Sequence, residues 1–148
     1  MSATQAAVGK KAPGLSKLKA TAGEKLVLYF YPKDMTSGCT LESQNFRDLH
    51  AAFRKAKTRI VGVSRDSAAS HEKFRAKEQL PFELYCDADE ALCKAFDVIH
   101  EKSLYGRKYL GIVRSTFLID DKGVLRKEWR NVKVQGHAEE VLEAARAL

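Results

Sequence analysis

The sequence contains no long apolar run, few cysteines, no internal repeat and no low-complexity segment. Its cleanest apolar run, Leu26 to Tyr31, is far shorter than the roughly 20 residues that a membrane-spanning helix needs. The N-terminal segment MSATQAAVGKKAPG has no charged start followed by an apolar stretch, so we expect no signal peptide. With three cysteines the chain is not a disulfide scaffold, and an odd number without a signal predicts a reducing, cytoplasmic setting.

The composition is that of a folded domain with an excess of positive charge. Its 148 residues, 45% of them hydrophobic, predict a single domain that buries one core. A net charge of +7 keeps nucleic acid among the possible partners. The basic residues are spread over many segments rather than gathered in one stripe, so we expect most of them to be solvated and nucleic acid not to be a partner.

Apolar patterning predicts an α/β fold. The near-continuous run Lys25–Tyr31 is typical of a strand buried on both faces. A helix is predicted roughly over residues 38–56, because its apolar residues fall mostly three or four apart and form one buried face: Leu41, Phe46, Leu49 and Phe53. The remaining predicted elements are strands at 58–64 and 83–86, helices at 67–79 and 87–96, a hairpin of 115–120 with 124–130, and a helix at 137–148. This order predicts three parallel strands extended by antiparallel ones, a mixed central sheet flanked by helices.

The segment that carries chemistry joins the first strand to the first helix. It places Cys39 in the first turn of that helix, where unpaired backbone N–H groups and the helix dipole stabilise a thiolate. The thiolate is the reactive form of cysteine, so Cys39 is a candidate nucleophile. Thr36 can place its hydroxyl beside the sulfur or a bound oxygen, Pro32 stiffens the loop, and Gly38 allows a close backbone approach.

The sequence YFYPKDMTSGCT resembles the active-site loop of the peroxiredoxins, P-x-x-x-T-x-x-C. The flanking segments LVLYFYPKD, GVSRDS, CKAFDVI and RSTFLID are similar to the bacterioferritin-comigratory, or Q-type, subfamily, and the resemblance covers roughly residues 25–148. It implies an α/β, thioredoxin-like fold with a mixed central β-sheet flanked by α-helices. It also implies a thiol-dependent peroxidase of antioxidant defence that reduces hydrogen peroxide and organic hydroperoxides without a metal or organic cofactor.

The resemblance also implies a role for each matching residue. Cys39 corresponds to the peroxidatic cysteine, which attacks the O–O bond and becomes a sulfenic acid. Thr36 corresponds to the residue that hydrogen-bonds the peroxide and the sulfur, Pro32 to the residue that shields the pocket, and Arg114 to the active-site arginine. The implied assembly is one domain over residues 1–148, monomeric or weakly dimeric, with residues 1–24 as a shortened N-terminal arm.

Three departures from the subfamily pattern bear on the mechanism. Gln44 and Arg75 stand where two-cysteine members usually carry a resolving cysteine, Ser37 stands where proline is frequent, and about a dozen residues of an N-terminal hairpin are missing before Lys25.

Neither of the other two cysteines takes over the resolving role in this prediction. Cys86 is predicted two strands from Cys39, roughly 10 Å away at the usual strand spacing, whereas a disulfide needs Cα atoms within about 7 Å. Cys93 is predicted to be part of the core. We therefore expect a one-cysteine enzyme recycled by an external thiol, either thioredoxin or glutaredoxin with glutathione.

Several residues keep a simpler interpretation beside the functional one. Thr36 can serve as an N-cap. If the family resemblance is set aside, Arg114 is most simply interpreted as a surface charge. Glu42 can either pair with Arg114 or be solvated. For Trp129 we expect half-buried packing. The four histidines show no metal-like spacing, so surface positions are the default for His50, His71, His100 and His137.

Two other functions compete with the peroxidase. A thiol–disulfide oxidoreductase is disfavoured because the chain has no C-x-x-C pair. A basic binding module would rest only on the charge and on Tyr105, Arg107 and Tyr109, which interleave basic and aromatic residues. We expect these three residues to lie in a loop instead.

Overall fold

Strands and helices alternate through the first half of the chain, and antiparallel strands with a final helix complete it. The structure is a computed structural model that describes residues 5–19 and 23–148. In chain order the elements are β1 (Lys25–Phe30), α1 (Ser37–Asp48), α2 (His50–Lys55), β2 (Thr58–Ser64), α3 (Ala68–Glu78), β3 (Glu83–Cys86), α4 (Ala91–Ala95), β4 (Ile99–Leu104), β5 (Arg107–Ile112), β6 (Ser115–Ile119), β7 (Leu125–Trp129) and α5 (His137–Arg146).

The central sheet has β1 in its middle. Within the described residues the strand order is β3-β2-β1-β6-β7. β1 and β2 are parallel, as are β2 and β3, while β6 runs antiparallel to both β1 and β7. The predicted mixed sheet is therefore confirmed, including the three parallel neighbours.

Both faces of β1 are buried, as its apolar run predicts. Leu26, Leu28 and Phe30 pack into one core with Leu92 and Phe96 from α4 and the residue after it. On the other face, Val27, Tyr29 and Tyr31 pack against α1, α2, α3 and α5 through an aromatic-rich second core that includes Phe46, Phe53, Phe74 and Val141. A sheet between two helical layers is the predicted thioredoxin-like arrangement. No helix in the described ranges is long and apolar enough to cross a membrane.

The helix predicted over residues 38–56 is broken at Leu49 into α1 and α2. The prediction counted Leu41 as part of the buried face, and this is wrong because Leu41 is exposed. The buried face of α1 instead carries Cys39, Glu42, Ser43 and Phe46. Hydropathy alone misses such a face because two of its members are polar and find their partners in distant parts of the chain.

The prediction of a loop around Tyr105, Arg107 and Tyr109 is wrong, because these residues belong to a β-hairpin. β4 and β5 pair antiparallel over six residues each and form a separate two-stranded sheet. The turn between them uses Tyr105 (φ 51°) and Gly106 (φ 78°), both in the left-handed region that hairpin turns require. The hairpin lacks a clear apolar–polar alternation because most of it is exposed on both faces.

Two histidines are buried, which contradicts the surface default. His137 at the start of α5 lies 2.8 Å from Thr116 Oγ1 of β6 through its Nε2. Burial lowers the pKa of His137 to about 4 and keeps the ring neutral. His71 is buried beneath the loop that follows β1. Trp129 is half-buried beside His137, as expected.

The N-terminal arm packs against the sheet over the part that the structure describes. Lys11 forms an antiparallel bridge with Val124, and Ala12 and Leu18 are buried in the core on the α4 side. Gly14 adopts φ +75°, and a Cβ atom there would approach Leu92 Cδ2 to 2.3 Å. Residues 1–4 and 20–22 of the predicted arm lie outside the described residues.

We expect Gly62→Ala to destabilise the fold by about 1–3 kcal/mol, the usual cost of overpacking a dense core. A Cβ atom at Gly62 of β2 would lie 2.8 Å from both Leu84 and the Tyr29 ring. Urea unfolding followed by circular dichroism measures the free energy of unfolding. Ser103→Ala, at an exposed strand position, is the control and should change it by less than about 0.5 kcal/mol. Equal stability of the two variants would contradict this packing.

Candidate active site

Cys39 lies at the carboxyl edge of the sheet, in the first turn of α1. The loop of residues 32–36 carries the chain from β1 to this helix, and Thr36 occupies its N-cap position. Cys39 is only 1% exposed, so its sulfur lies below the surface while the helix N-terminus points toward it. The predicted placement of a thiol at the positive end of a helix is therefore present.

Arg114 reaches Cys39 from a distant part of the sequence. It directly precedes β6, whose first residue, Ser115, pairs with Phe30 at the carboxyl end of antiparallel β1. This register brings the guanidinium to the sulfur, with Nη2 3.4 Å from Sγ. Gly38 leaves room for this approach, because a Cβ atom there would lie in tight contact with Arg114 Nη2, at 3.2 Å.

The sequence left open whether Glu42 pairs with Arg114 or is solvated. In the structure Glu42 is buried and paired. Arg114 Nη1 donates to Glu42 Oε1 at 2.7 Å, so one guanidinium spans the thiol and the carboxylate. Burial raises the pKa of Glu42 to about 7 although Arg114 acts in the opposite direction. Its second oxygen, Oε2, finds no hydrogen-bond partner in the described part of the chain.

Thr36 and Pro32 belong to the loop that leads from β1 to α1. The Thr36 hydroxyl is exposed and donates to the Lys33 carbonyl at 2.8 Å. It makes no capping hydrogen bond to α1, although its backbone carbonyl accepts from Thr40. Pro32 is half-buried at the start of the loop. Of the predicted residues, the structure brings Cys39 and Arg114 into direct contact and places the other two beside them in the chain.

A buried polar network that the sequence analysis missed holds the middle of this loop. Asp34 Oδ1 accepts from the Tyr31 hydroxyl at 2.6 Å, and Asp34 Oδ2 accepts from the Ser70 hydroxyl at 2.8 Å. The same oxygen lies 2.8 Å from His71 Nδ1. The Asp34 amide in turn donates to Asp66 Oδ2 at 2.8 Å. The loop is thereby tied to α3 and to the end of β2.

His71 lies between two hydrogen-bond acceptors, the Asp34 carboxylate and the Tyr85 carbonyl. His71 Nδ1 faces the Asp34 carboxylate, and Nε2 lies 3.1 Å from the Tyr85 carbonyl, so both ring nitrogens meet acceptors. Burial opposes the charged form of Asp34, but the hydrogen bonds from His71 and Tyr31 outweigh it and lower the pKa of Asp34. Asp34, Asp66 and His71 also bring ligand atoms within 4.8 Å of one another, as a metal site would, yet the network already uses these atoms.

A second cation, Lys102 of β4, was also missed. Partial burial and the positive charge of Arg114 lower the pKa of Lys102, whereas Cys39 acts in the opposite direction. The stem of Lys102 covers Gly111 of the paired strand, where a Cβ atom would lie 3.1 Å from Lys102 Cδ. No sequence signal identifies this residue, because its position follows from the pairing of β4 with β5.

This arrangement suits nucleophilic chemistry at sulfur. A helix N-terminus and a guanidinium both stabilise a thiolate, and a guanidinium can also orient an incoming oxygen. The buried carboxylate of Glu42 holds the guanidinium in place. A nucleophile with preorganised positive groups around it fits attack on a small polar electrophile.

Comparison with known proteins agrees with this geometry. The model of the AhpC/TSA family matches residues 3–128. The chain is 55% identical to Peroxiredoxin Bcp of Xanthomonas campestris, covering 88% of this chain and 81% of that protein. It is 49% identical to Peroxiredoxin Bcp of Bacillus subtilis, covering 92% of each.

Solved structures give the same result. A structure of Xanthomonas campestris bacterioferritin comigratory protein, from work on its alkyl peroxide reduction activity, superposes with a TM-score of 0.83 at 55% identity and covers 88% of this chain and 83% of that one. A crystal structure of a PrxQ variant from Xylella fastidiosa gives a TM-score of 0.88 at 40% identity and covers 98% of both chains. The chain therefore belongs to the AhpC/TSA family and, within it, to the Bcp or Q-type peroxiredoxins, which are thiol-dependent peroxidases.

Proposed function

We propose that Cys39 is the peroxidatic nucleophile of this enzyme and that its substrates are hydrogen peroxide and small organic hydroperoxides. The observation that carries the proposal is the Arg114 guanidinium, 3.4 Å from a sulfur that also lies in the first turn of α1. The alkyl peroxide reduction activity of the Xanthomonas relative supports the inclusion of organic hydroperoxides.

The proposed reaction begins with the Cys39 thiolate. Its sulfur attacks the terminal oxygen of the hydroperoxide in line with the O–O bond, forming an S–O bond as the O–O bond breaks. The alkoxide or hydroxide that leaves takes up a proton and departs as alcohol or water. Sulfur gives up two electrons and becomes a sulfenic acid.

Each neighbouring residue takes a part in this step. Arg114 stabilises the thiolate and the negative charge that develops on the leaving oxygen, while Glu42 positions Arg114. The Thr36 hydroxyl, which donates to the Lys33 carbonyl in this structure, is assigned the hydrogen bond to a bound peroxide. Pro32 stiffens the loop and shields the peroxide pocket beside Cys39.

An external thiol completes the proposed cycle because no second cysteine is placed to do so. Cys93 is buried, and burial raises the pKa of its thiol, which makes it a poor attacking group. Cys86 ends β3, with β2 between it and the strand that leads to Cys39. The two positions of the usual resolving cysteines hold Gln44, bonded to Glu78, and Arg75, bonded to the Leu80 carbonyl.

We also propose a compartment, a class of reductant and an assembly for this enzyme. Three free thiols fit a reducing compartment, so we place the enzyme in the cytoplasm. Thioredoxin, or glutaredoxin with glutathione, is the proposed class of reductant. Nucleic acid is not a proposed partner, since many basic side chains pair with nearby acidic ones in the described residues. We further propose one domain over the whole chain and a monomer or weak dimer.

Cys39→Ser is expected to lose peroxide consumption driven by dithiothreitol down to the rate of buffer, because serine cannot supply a thiolate. Loss of peroxide is followed spectrophotometrically with excess dithiothreitol. Cys86→Ser is the control, since this thiol is half-buried at the end of β3, and it should keep the wild-type rate. Equal rates for wild type and Cys39→Ser would end the peroxidase assignment to this cysteine.

Stoichiometric peroxide without added thiol is expected to leave Cys39 as a sulfenic acid and not as an intramolecular disulfide. Mass spectrometry after trapping with dimedone checks this outcome. A large excess of peroxide should then drive Cys39 to sulfinic acid and inactivate the enzyme. A Cys39–Cys86 or Cys39–Cys93 bridge as the main product would contradict the one-cysteine mechanism.

Glu42→Gln is expected to lower kcat/KM for peroxide by roughly 10–100-fold, because Arg114 loses the charge that positions it. The same variant should become more stable relative to wild type as the pH rises, because it lacks the carboxyl group that ionises. The pKa of the Glu42 carboxyl is 4.5 in the unfolded chain and about 7 in the folded protein. The free energy of unfolding of wild type therefore falls by up to about 3 kcal/mol as the pH rises through this range, whereas that of the variant does not. Urea unfolding at pH 5 and pH 8 measures the difference. The exposed Glu143→Gln should show neither effect, and parallel behaviour of the two variants would refute the role of Glu42.

A further inference from the structure

The β4–β5 hairpin exposes an unusual amount of apolar surface. Four of its side chains are large, hydrophobic and exposed: Leu104, Tyr105, Tyr109 and Leu110. Tyr105 at the turn is 97% exposed and Leu110 is 65% exposed. A strand pair that stabilised only its own fold would place such side chains against the core, so this surface is available to another molecule.

The hairpin stands beside Cys39. β5 ends at Ile112, two residues before Arg114, whose guanidinium contacts the sulfur. Arg65 donates to the Leu110 carbonyl at 3.4 Å and is followed by Asp66, which accepts from the amide of the active-site loop. The hairpin is thus fastened to the same edge of the sheet that presents the nucleophile.

Two further exposed apolar side chains lie in the elements that hold the sulfur. Met35 in the active-site loop and Leu41 in α1 are both exposed, four residues before and two residues after Cys39. Met35 also adopts φ 63°, a left-handed conformation that is strained for methionine. Cys39 itself is buried, so a bulky thiol reaches it only after this loop moves.

Positive charge accompanies the apolar side chains. The hairpin carries Lys102, Arg107 and Lys108 against a single acidic residue, Glu101, which lies 3.6 Å from Lys108. A second copy of this chain would place like charges against each other on this surface. A partner with acidic groups around an apolar patch is complementary to it.

We propose that this surface, residues 104–110, is the docking site for an acidic protein that carries a dithiol and reduces oxidised Cys39. The proposal rests on the peroxidase function proposed above. One partner thiol attacks the sulfenic sulfur, water leaves, and a mixed disulfide forms. The second partner thiol then attacks that disulfide, which releases Cys39 as a thiol and leaves the partner oxidised by two electrons.

Steady-state peroxide turnover with two reductants tests the proposal. Thioredoxin, regenerated by its reductase and NADPH, is the protein dithiol, and dithiothreitol is the small one. Tyr105→Ser/Leu110→Ser and Arg107→Glu should each raise the KM for thioredoxin at least about tenfold. Both should leave the rate with dithiothreitol within twofold of wild type, because none of the three side chains is among the hydrogen-bond or ion-pair partners of Cys39, Arg114 and Glu42 in the described residues. Added salt should raise the KM of wild type toward that of Arg107→Glu.

Matched controls lie at the opposite end of the sheet. Leu148→Ser removes an exposed apolar side chain, and Lys122→Glu reverses an exposed charge in the β6–β7 turn; neither should change the KM for thioredoxin. An unchanged KM in the hairpin variants would overturn the docking site, as would turnover with glutathione alone but not with thioredoxin. A dimer that the hairpin variants dissociate would assign the surface to a second copy instead. Failure of wild type to turn over with dithiothreitol would instead refute the peroxidase proposal beneath it.

Discussion

The site depends on one guanidinium that is shared between a thiol and a buried carboxylate. Arg114 contacts Cys39 and Glu42, both on α1, from a position more than 70 residues away in the chain. A buried charge is costly unless it is paired, so removing either partner leaves the other groups in an unfavourable environment. The central position of β1 makes the contact possible, because β1 leads into the cysteine helix and its antiparallel neighbour β6 begins directly after Arg114.

A second set of polar contacts gives the catalytic loop its shape. Asp34 gathers hydrogen bonds from Tyr31, Ser70 and His71, and its amide reaches Asp66. These partners lie directly after β1, in α3 and shortly after β2. The loop is therefore held by the surrounding fold as well as by its own sequence. Because no proline follows Pro32 in this loop, such contacts supply rigidity that the backbone alone does not.

The parts of the fold that sequence analysis predicted are those with a strong local signal. The apolar run of β1, the position of Cys39 after it and the terminal hairpin all follow from periodicity and motif. The β4–β5 hairpin was missed because both of its faces are exposed, which removes the alternation that identifies a strand. His71 and His137 were placed on the surface because their hydrogen-bond partners, Asp34 and Thr116, lie in other elements.

The family, the mixed sheet and the candidate nucleophile could be predicted from the sequence, since each rests on residues close together in the chain. The sequence also indicated Arg114 as a candidate active-site residue, but only through its resemblance to a known family. The tertiary structure alone decided that Glu42 pairs with Arg114, that Asp34 holds the loop, and that an apolar and basic hairpin stands beside the sulfur. The physical reason is that ion pairs, buried polar contacts and adjacent surfaces join segments whose separation in sequence carries no information about their separation in space.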